Sequence, residues 1–402
     1  MAGSYDVAVI GGGIVGLAAA RAVLNREPDL RLCVLEKEPS VALHQSGRNS
    51  GVVHAGVYYA PGSLKATLCA SGRVALKEYA NERGIAYEEC GKVIVASRED
   101  QLPGLRELHR RAEANGVAGV RLVDGRELRE IEPAITGIAA LHSPVTAITD
   151  FRALALSFAA DVALAGGSVC HGFAVGGIVQ DGDGVTITAR DSRQVKASRV
   201  LVCAGLFGDR IAALVGDRPD PRIVPFRGDY YRLAERKAGL LRGLVYPVPD
   251  PALPFLGVHL TRTIGGEVLV GPNAVLATAR EGYRFSAVRL RDVKDTVAWP
   301  GFWRFAGRYW RVGLSEAKRA VSKRRFAAEA SAFMPGVGRA DLTRAWSGVR
   351  AQALDGAGNL VDDFAITAVG RVVNVRNAPS PAATSSLSIG DILASRVLDH
   401  ET

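Results

Sequence analysis

The chain has 402 residues, 48% of them hydrophobic and 23% charged, with a formal net charge of +9. That length suits two intimately joined domains, and the composition excludes a disordered or fibrous chain. Its five cysteines (Cys33, Cys69, Cys90, Cys170, Cys203) form no CxxC pair, which argues against a zinc site or disulfide framework and for a reducing cytoplasm.

The first predicted element is a strand over YDVAVI (5–10), followed by GGGIVG and then by LAAARAVL with helical character. Asp6 interrupts the apolar start, so this end reads as a strand and not as a secretory signal. Gly11, Gly13 and Gly16 fit G-x-G-x-x-G between strand and helix. The first glycine permits the tight turn, the second lets backbone approach a pyrophosphate, and the third allows close helix–strand packing. The helix start offers N–H groups and a positive dipole end to phosphates. A second strand, RLCVLE, ends at Glu36 about 20 residues on, where a carboxylate suits ribose hydroxyls and disfavours NADP. The motif alone does not separate FAD from NAD.

SGRNSGVVHAGVYY (46–59) forms a second glycine-rich turn carrying His54, Tyr58 and Tyr59. His54 reads either as a core histidine bonded to backbone or as an active-site group. If the backbone there is extended, Tyr58 and Tyr59 point to opposite faces and one of them reaches the site. Helical patterns recur over 64–84, 99–115, 151–165, 206–216, 316–333 and 386–399. Strand-like runs cover 92–96, 185–190, 200–203, 244–248, 268–271, 361–367 and 371–375. Lys65, opening the first of these helices, faces either pocket or solvent. In LGVHLTR, strand alternation puts His259 and Thr261 on one face and Leu260 and Arg262 on the other. One pocket then takes both His259 and Arg262 only if the strand ends or bulges between them.

RVLVCAGLFGDRIA (199–212) and VVNVRNAPSPAATSSLSIGDIL (372–393) repeat the order strand, small-residue turn, helix. Thr384, Ser385 and Ser386 can cap that last helix and also aim N–H groups at a ligand. The expected fold is α/β (mixed α+β): a discontinuous Rossmann-like domain of residues 1–85, 145–216 and 340–402, and a β-rich substrate domain of 86–144 and 217–339. Residues 284–326 hold twelve Lys/Arg against three Asp/Glu, interleaved with Trp299, Phe302, Trp303, Phe305, Tyr309 and Trp310. That segment suits a membrane surface or a solvated face; no nucleic-acid module accompanies it. No stretch reaches the ~20 apolar residues that span a bilayer.

RNSGVVHAGVYYAPGSLKATLC (48–69), PFLGVHLTR (254–262), VGPNAVLA (270–277), WSGVRAQ (346–352) and NAPSPAATSSLSIG (377–390) together carry a resemblance. The chain resembles the FAD-dependent D-amino-acid-oxidase superfamily and, within it, the L-2-hydroxyglutarate dehydrogenase/oxidase family. The resemblance implies non-covalent FAD, a dicarboxylate substrate, and oxidation of L-2-hydroxyglutarate to 2-oxoglutarate by hydride transfer to flavin N5. It also implies electron delivery to a quinone or other acceptor, and hence a cytoplasmic chain peripheral on the inner face of the cell membrane. It places FAD against Gly11, Gly13, Ile14, Val15, Gly16, Glu36 and Lys37. Ser46, Arg48, Asn49, Ser50 and Gly51 follow in the second turn, then Val175, Ala204, Gly205 and Arg350. Pro381, Thr384, Ser385, Ser386 and Leu387 complete the set.

Oxidising a 2-hydroxy acid removes a hydride from the α-carbon and a proton from the hydroxyl, so the site needs a base and cations for carboxylates. The candidates are His54, His259, Arg262, Tyr59 and Lys65, with histidine suited to the base role by its near-neutral pKa. His54 also fits flavin contact or a covalent attachment point, as in some amine-oxidising relatives. Arg350 fits flavin, substrate or a core ion pair, and Arg262 a solvated strand end. Two other functions fit the residues less well: a flavin amine or amino-acid oxidase of the same superfamily, and a non-catalytic nucleic-acid-binding flavoprotein.

Overall fold

The strand Gly3–Ile10 buries its last four residues and pairs in parallel with Leu32–Leu35 on one side and Gln194–Val202 on the other. Leu32–Leu35 is buried at every position, as a strand covered on both faces of a parallel sheet must be. Ser168–Cys170 and Val372–Asn377 extend the parallel set at its two ends. Antiparallel strands Val175–Asp181, Gly184–Ala189 and Ala365–Val369 complete this eight-stranded sheet. The helices Ile14–Arg26, Leu64–Glu82, Phe151–Leu164 and Ser386–Leu398 share one core with it. These facts describe residues 3–250, 255–320 and 322–399 of a computed structural model; Pro254 of the PFLGVHLTR stretch lies outside the described residues.

A second, nine-stranded sheet is mostly antiparallel and includes Lys92–Ala96, Leu244–Pro247 and His259–Arg262 in adjacent or near-adjacent positions. Its longest ladder joins Arg222–Leu233 to Leu342–Leu354. Neither strand is among the predicted runs. RIVPFRGDYYRL places a proline, a glycine and charges in mid-strand, yet nearly all of it is buried, with Arg227 and Asp229 paired to each other at 2.9 Å. A small third sheet carries Val52–Val53, just before His54.

The discontinuous nucleotide-binding architecture is as expected, with one correction of boundary. Residues 342–354 belong to the second sheet, so the return to the first begins at Ala365 and not near 340. The expected strand 361–367 lies instead at Ala365–Val369. The expected helix 316–333 is two helices, Pro300–Ala320 and Lys323–Ser331.

Candidate active site

Gly11 has φ +113°, and a Cβ there would stand 2.4 Å from the Cys203 carbonyl oxygen. A Cβ on Gly16 would stand 2.1 Å from the Gly11 oxygen, so both glycines are demanded by the turn itself. Gly13 differs: its nearest neighbour to an added Cβ is Ser46 Oγ at 3.4 Å, which leaves it facing open space. Glu36 is buried and accepts from the Gly12 N–H at 2.8 Å and the Glu38 N–H at 2.9 Å. The Ile14 N–H donates to Ser46 Oγ at 2.9 Å, tying the second turn to the helix start. Asn49 knits that turn internally, donating to the Gln45 and Ser46 carbonyls and accepting from the Gly51 N–H.

One cavity of about 1570 Å³ runs from this turn to His54 and His259. It exceeds the ~300–1,000 Å³ of small-molecule sites, leaving room for a dinucleotide with a small substrate beside it. Gly11, Gly13, Ile14, Val15, Gly16, Glu36 and Lys37 line it, with Ser46, Arg48, Asn49, Ser50, Val175, Ala204, Gly205, Arg350, Pro381 and Thr384. The open approach at Gly13, the orphan N–H groups of the helix start and the deep carboxylate of Glu36 fit the pyrophosphate and ribose of FAD. At the rim, Lys37, Glu38, His44 and Glu281 interlock, joining the two parts of the molecule. Burial opposes the charge on Glu281, but bonds from His44 and Lys37 prevail and bring its pKa down to about 2.

Four expected cofactor residues lie elsewhere. Ser385 and Ser386 are wholly buried, and their N–H groups already donate to the Pro381 and Ala383 carbonyls within the turn. Leu387 packs on the first core. Gly51 backs onto the Thr149 carbonyl.

At the other end of the cavity, His259 is 6% exposed and stacks on Tyr246 with ring centroids 4.0 Å apart. Its Nδ1 lies 2.9 Å from the Gly257 carbonyl oxygen. That carbonyl can only accept, so Nδ1 carries the proton and Nε2 is left as the basic nitrogen. Burial, with Arg350 and Lys92 nearby, pushes the His259 pKa down to about 3 despite the Gly257 bond. His54 also lines the cavity; its N–H donates to Thr384 Oγ1 at 3.1 Å, and its Nε2 lies 3.3 Å from Ser380 Oγ. Burial and the charge of Lys92 bring its pKa to about 3 as well. Both imidazoles are therefore neutral.

Tyr58, Tyr59 and Lys65 line the same cavity, but Lys65 is paired with Asp362 at 2.7 Å. Arg350 makes no carboxylate contact among the described residues and lies 5.8 Å from the Phe255 ring. Arg262 is not part of the site. It points from the opposite face of its strand, pairs with Glu88 and is 27% exposed at its side chain. Strand alternation, unbroken by a bulge, keeps it from His259.

Three contributors were not singled out from sequence: Tyr246, Tyr230 and Lys92. The first two line the cavity from strands that bury nearly every residue. Lys92 opens the strand KVIVA, where a lysine ordinarily marks a solvated end, yet it is 2% exposed.

Residues 6–396 match the model of a family described as FAD dependent oxidoreductase. The chain belongs to the FAD dependent oxidoreductase family. This oxidoreductase is 45% identical over 410 residues to the human protein named L-2-hydroxyglutarate dehydrogenase, mitochondrial, covering 98% of this chain and 89% of that one. It is 42% identical over 393 residues to L-2-hydroxyglutarate dehydrogenase of Escherichia coli, covering 98% and 93%. Among solved structures it is similar to the FAD-bound L-alpha-glycerophosphate oxidase of Mycoplasma pneumoniae. That match has a TM-score of 0.80 at 21% identity and covers 99% of this chain and 95% of the other. This oxidoreductase accordingly uses FAD.

Proposed function

We propose that this chain oxidises L-2-hydroxyglutarate to 2-oxoglutarate. The observation that carries the reading is the pairing, in one chamber, of a neutral imidazole with a free Nε2 (His259) and a guanidinium (Arg350) that has no carboxylate partner among the described residues. The names of the relatives, at 42–45% identity over nearly the whole chain, support the same substrate.

Non-covalent FAD, for which the glycine turn, Glu36 and the facing loops would form the seat, would supply a two-electron acceptor for the substrate's α-hydrogen. Arg350 holds a substrate carboxylate through charge-assisted hydrogen bonds. His259 Nε2 takes the hydroxyl proton. Its low pKa in the free site keeps it unprotonated, and a bound dianion raises its basicity by opposing the charges of Arg350 and Lys92. His54, tied to Thr384 and Ser380, faces the flavin and orients its loop. Tyr59, over which Lys65 lies at 5.7 Å, closes the chamber wall beside the Lys65–Asp362 pair. A purely cationic substrate would meet the positive charge of Arg350 here, which argues against an amine oxidase.

Steady-state kinetics test the dicarboxylate preference. L-2-Hydroxyglutarate should exceed L-2-hydroxybutyrate, which lacks the second carboxylate, by ~10–10²-fold in kcat/KM, the worth of a hydrogen bond to a charged group. Equal values would remove the reading.

The electron acceptor is proposed to be a membrane quinone, reached from the membrane surface. Helix Pro300–Ala320 buries Phe305 beneath it and exposes Trp303, Trp310 and Leu314, flanked by Arg304, Arg308 and Arg311. Nearby, Phe285, Val288 and Leu290 are also exposed. Aromatic and basic groups on one surface suit an anionic headgroup layer. No helix among the described residues is long and apolar enough to cross a membrane. Flotation with anionic liposomes should recover the protein at low salt, and Trp303→Ser with Trp310→Ser should abolish recovery; a wild type that stays with the soluble fraction excludes this surface.

A further inference from the structure

Lys92 is the least explained charge in the molecule. It is 2% exposed, and its ammonium lies 4.6 Å from the Tyr58 ring centroid and 5.1 Å from that of Tyr246. It makes no ion pair or hydrogen bond among the described residues. A charge withdrawn from water is costly unless it is paired, and ring faces repay only part of that cost. Tyr58 and Tyr246 line the substrate chamber, and His259 stacks on Tyr246 with ring centroids 4.0 Å apart. The Tyr58 hydroxyl and His54 Nδ1 are also buried without partners. Behind the tyrosine wall of the chamber thus lies an unmatched positive charge, with unsatisfied polar groups beside it, which is what a site prepared for an anion looks like.

We propose that Lys92 is the standing positive charge of the substrate chamber, acting through Tyr58, Tyr246 and His259 to hold a dicarboxylate and to keep His259 an unprotonated acceptor. The inference rests on the substrate reading above and adds a positioning residue to it. Every group packed around Lys92 agrees with this role. From the second turn come His54 and Tyr58, the first neutral and the second held protonated by burial. From helix Leu64–Glu82 comes the Cys69 thiol, which burial pushes up to about 12. From the strands come Tyr246, also held protonated by burial, and His259, whose charge burial opposes together with Arg350 and Lys92. Burial brings Lys92 itself down to about 8. Between pH 7 and 9 it is therefore the group in this set that changes charge.

The test is titration of the holoenzyme with glutarate, a dicarboxylate that lacks the reacting hydroxyl, followed through flavin absorbance. In the wild type, Kd should rise about tenfold from pH 7 to pH 9, because ligand binds the protonated lysine and one pH unit above its pKa is a factor of ten. Lys92→Met should bind about tenfold more weakly at pH 7 and show no rise. Lys92→Arg, charged throughout, should bind as the wild type does at pH 7 and stay flat. A wild-type Kd that does not change between pH 7 and 9 overturns the proposal without any variant, as does a Lys92→Met protein that keeps the wild-type profile. Reduction of the wild-type flavin by L-2-hydroxyglutarate separates the two claims: if reduction occurs and binding is flat, only the role of Lys92 falls; if reduction fails, the substrate reading falls.

Discussion

His259→Ala lowers the rate of flavin reduction by L-2-hydroxyglutarate at least ~10²-fold at pH 7, with FAD content unchanged. The magnitude follows from the loss of a positioned base. Nδ1 is committed to the Gly257 carbonyl, so the ring's orientation and tautomer are fixed before substrate arrives, and Nε2 does the accepting. The stack on Tyr246 holds the ring plane, so truncation leaves a space that water can enter without restoring the geometry. FAD content is preserved because His259 lies at the substrate end of the cavity and the glycine turn at the other. His54→Ala should differ: its Nε2 is engaged by Ser380 and its backbone by Thr384, so the flavin spectrum shifts while reduction slows less than in His259→Ala. Stopped-flow absorbance under anaerobic conditions measures both, and equal losses would leave the two histidines undistinguished as bases.

Gly13→Val yields a folded, colourless protein. A Cβ at this position meets only Ser46 Oγ, at 3.4 Å, an ordinary contact that the fold should tolerate, whereas the side chain would fill the approach that the pyrophosphate needs. The apo melting temperature should match that of wild-type apoprotein, and added FAD should raise that of the wild type alone. Gly16→Val is the contrast: its Cβ would collide with the Gly11 oxygen at 2.1 Å, so this variant loses the fold with the cofactor. A yellow Gly13→Val protein would mean that the phosphates do not pass the glycine turn.

The nucleotide end was legible because its chemistry is local. Strand, glycine turn, helix and Glu36 follow one another within one stretch of chain, and the spacing of the three glycines can be read there without the distant Cys203 carbonyl that also crowds Gly11. His259 was legible as a candidate through the resemblance carried by PFLGVHLTR, and strand alternation, once no bulge intervened, put Arg262 on the other side with Glu88. What sequence left out depends on elements far apart. Lys92 looks like a solvated strand start until Tyr58, from the second turn, and Tyr246, from a neighbouring strand, close over it. The strand Arg222–Leu233 was unreadable because it carries Arg227 and Asp229 in mid-strand, which their mutual pair allows to be buried, and its ladder partner Leu342–Leu354 carries Arg344 and Arg350 at positions that are exposed or half-buried. Thr384 reaches the cavity, whereas Ser385 and Ser386 do not, since their N–H groups close the turn that begins the last helix.

The absorbance spectrum of the purified protein before and after anaerobic addition of L-2-hydroxyglutarate tests the central claim most directly. A yellow protein whose flavin band bleaches with the L-enantiomer, and persists with D-2-hydroxyglutarate or with an amino acid, is the predicted result. A flavin that keeps its oxidised spectrum in excess L-2-hydroxyglutarate, or that bleaches with the amino acid instead, would contradict it.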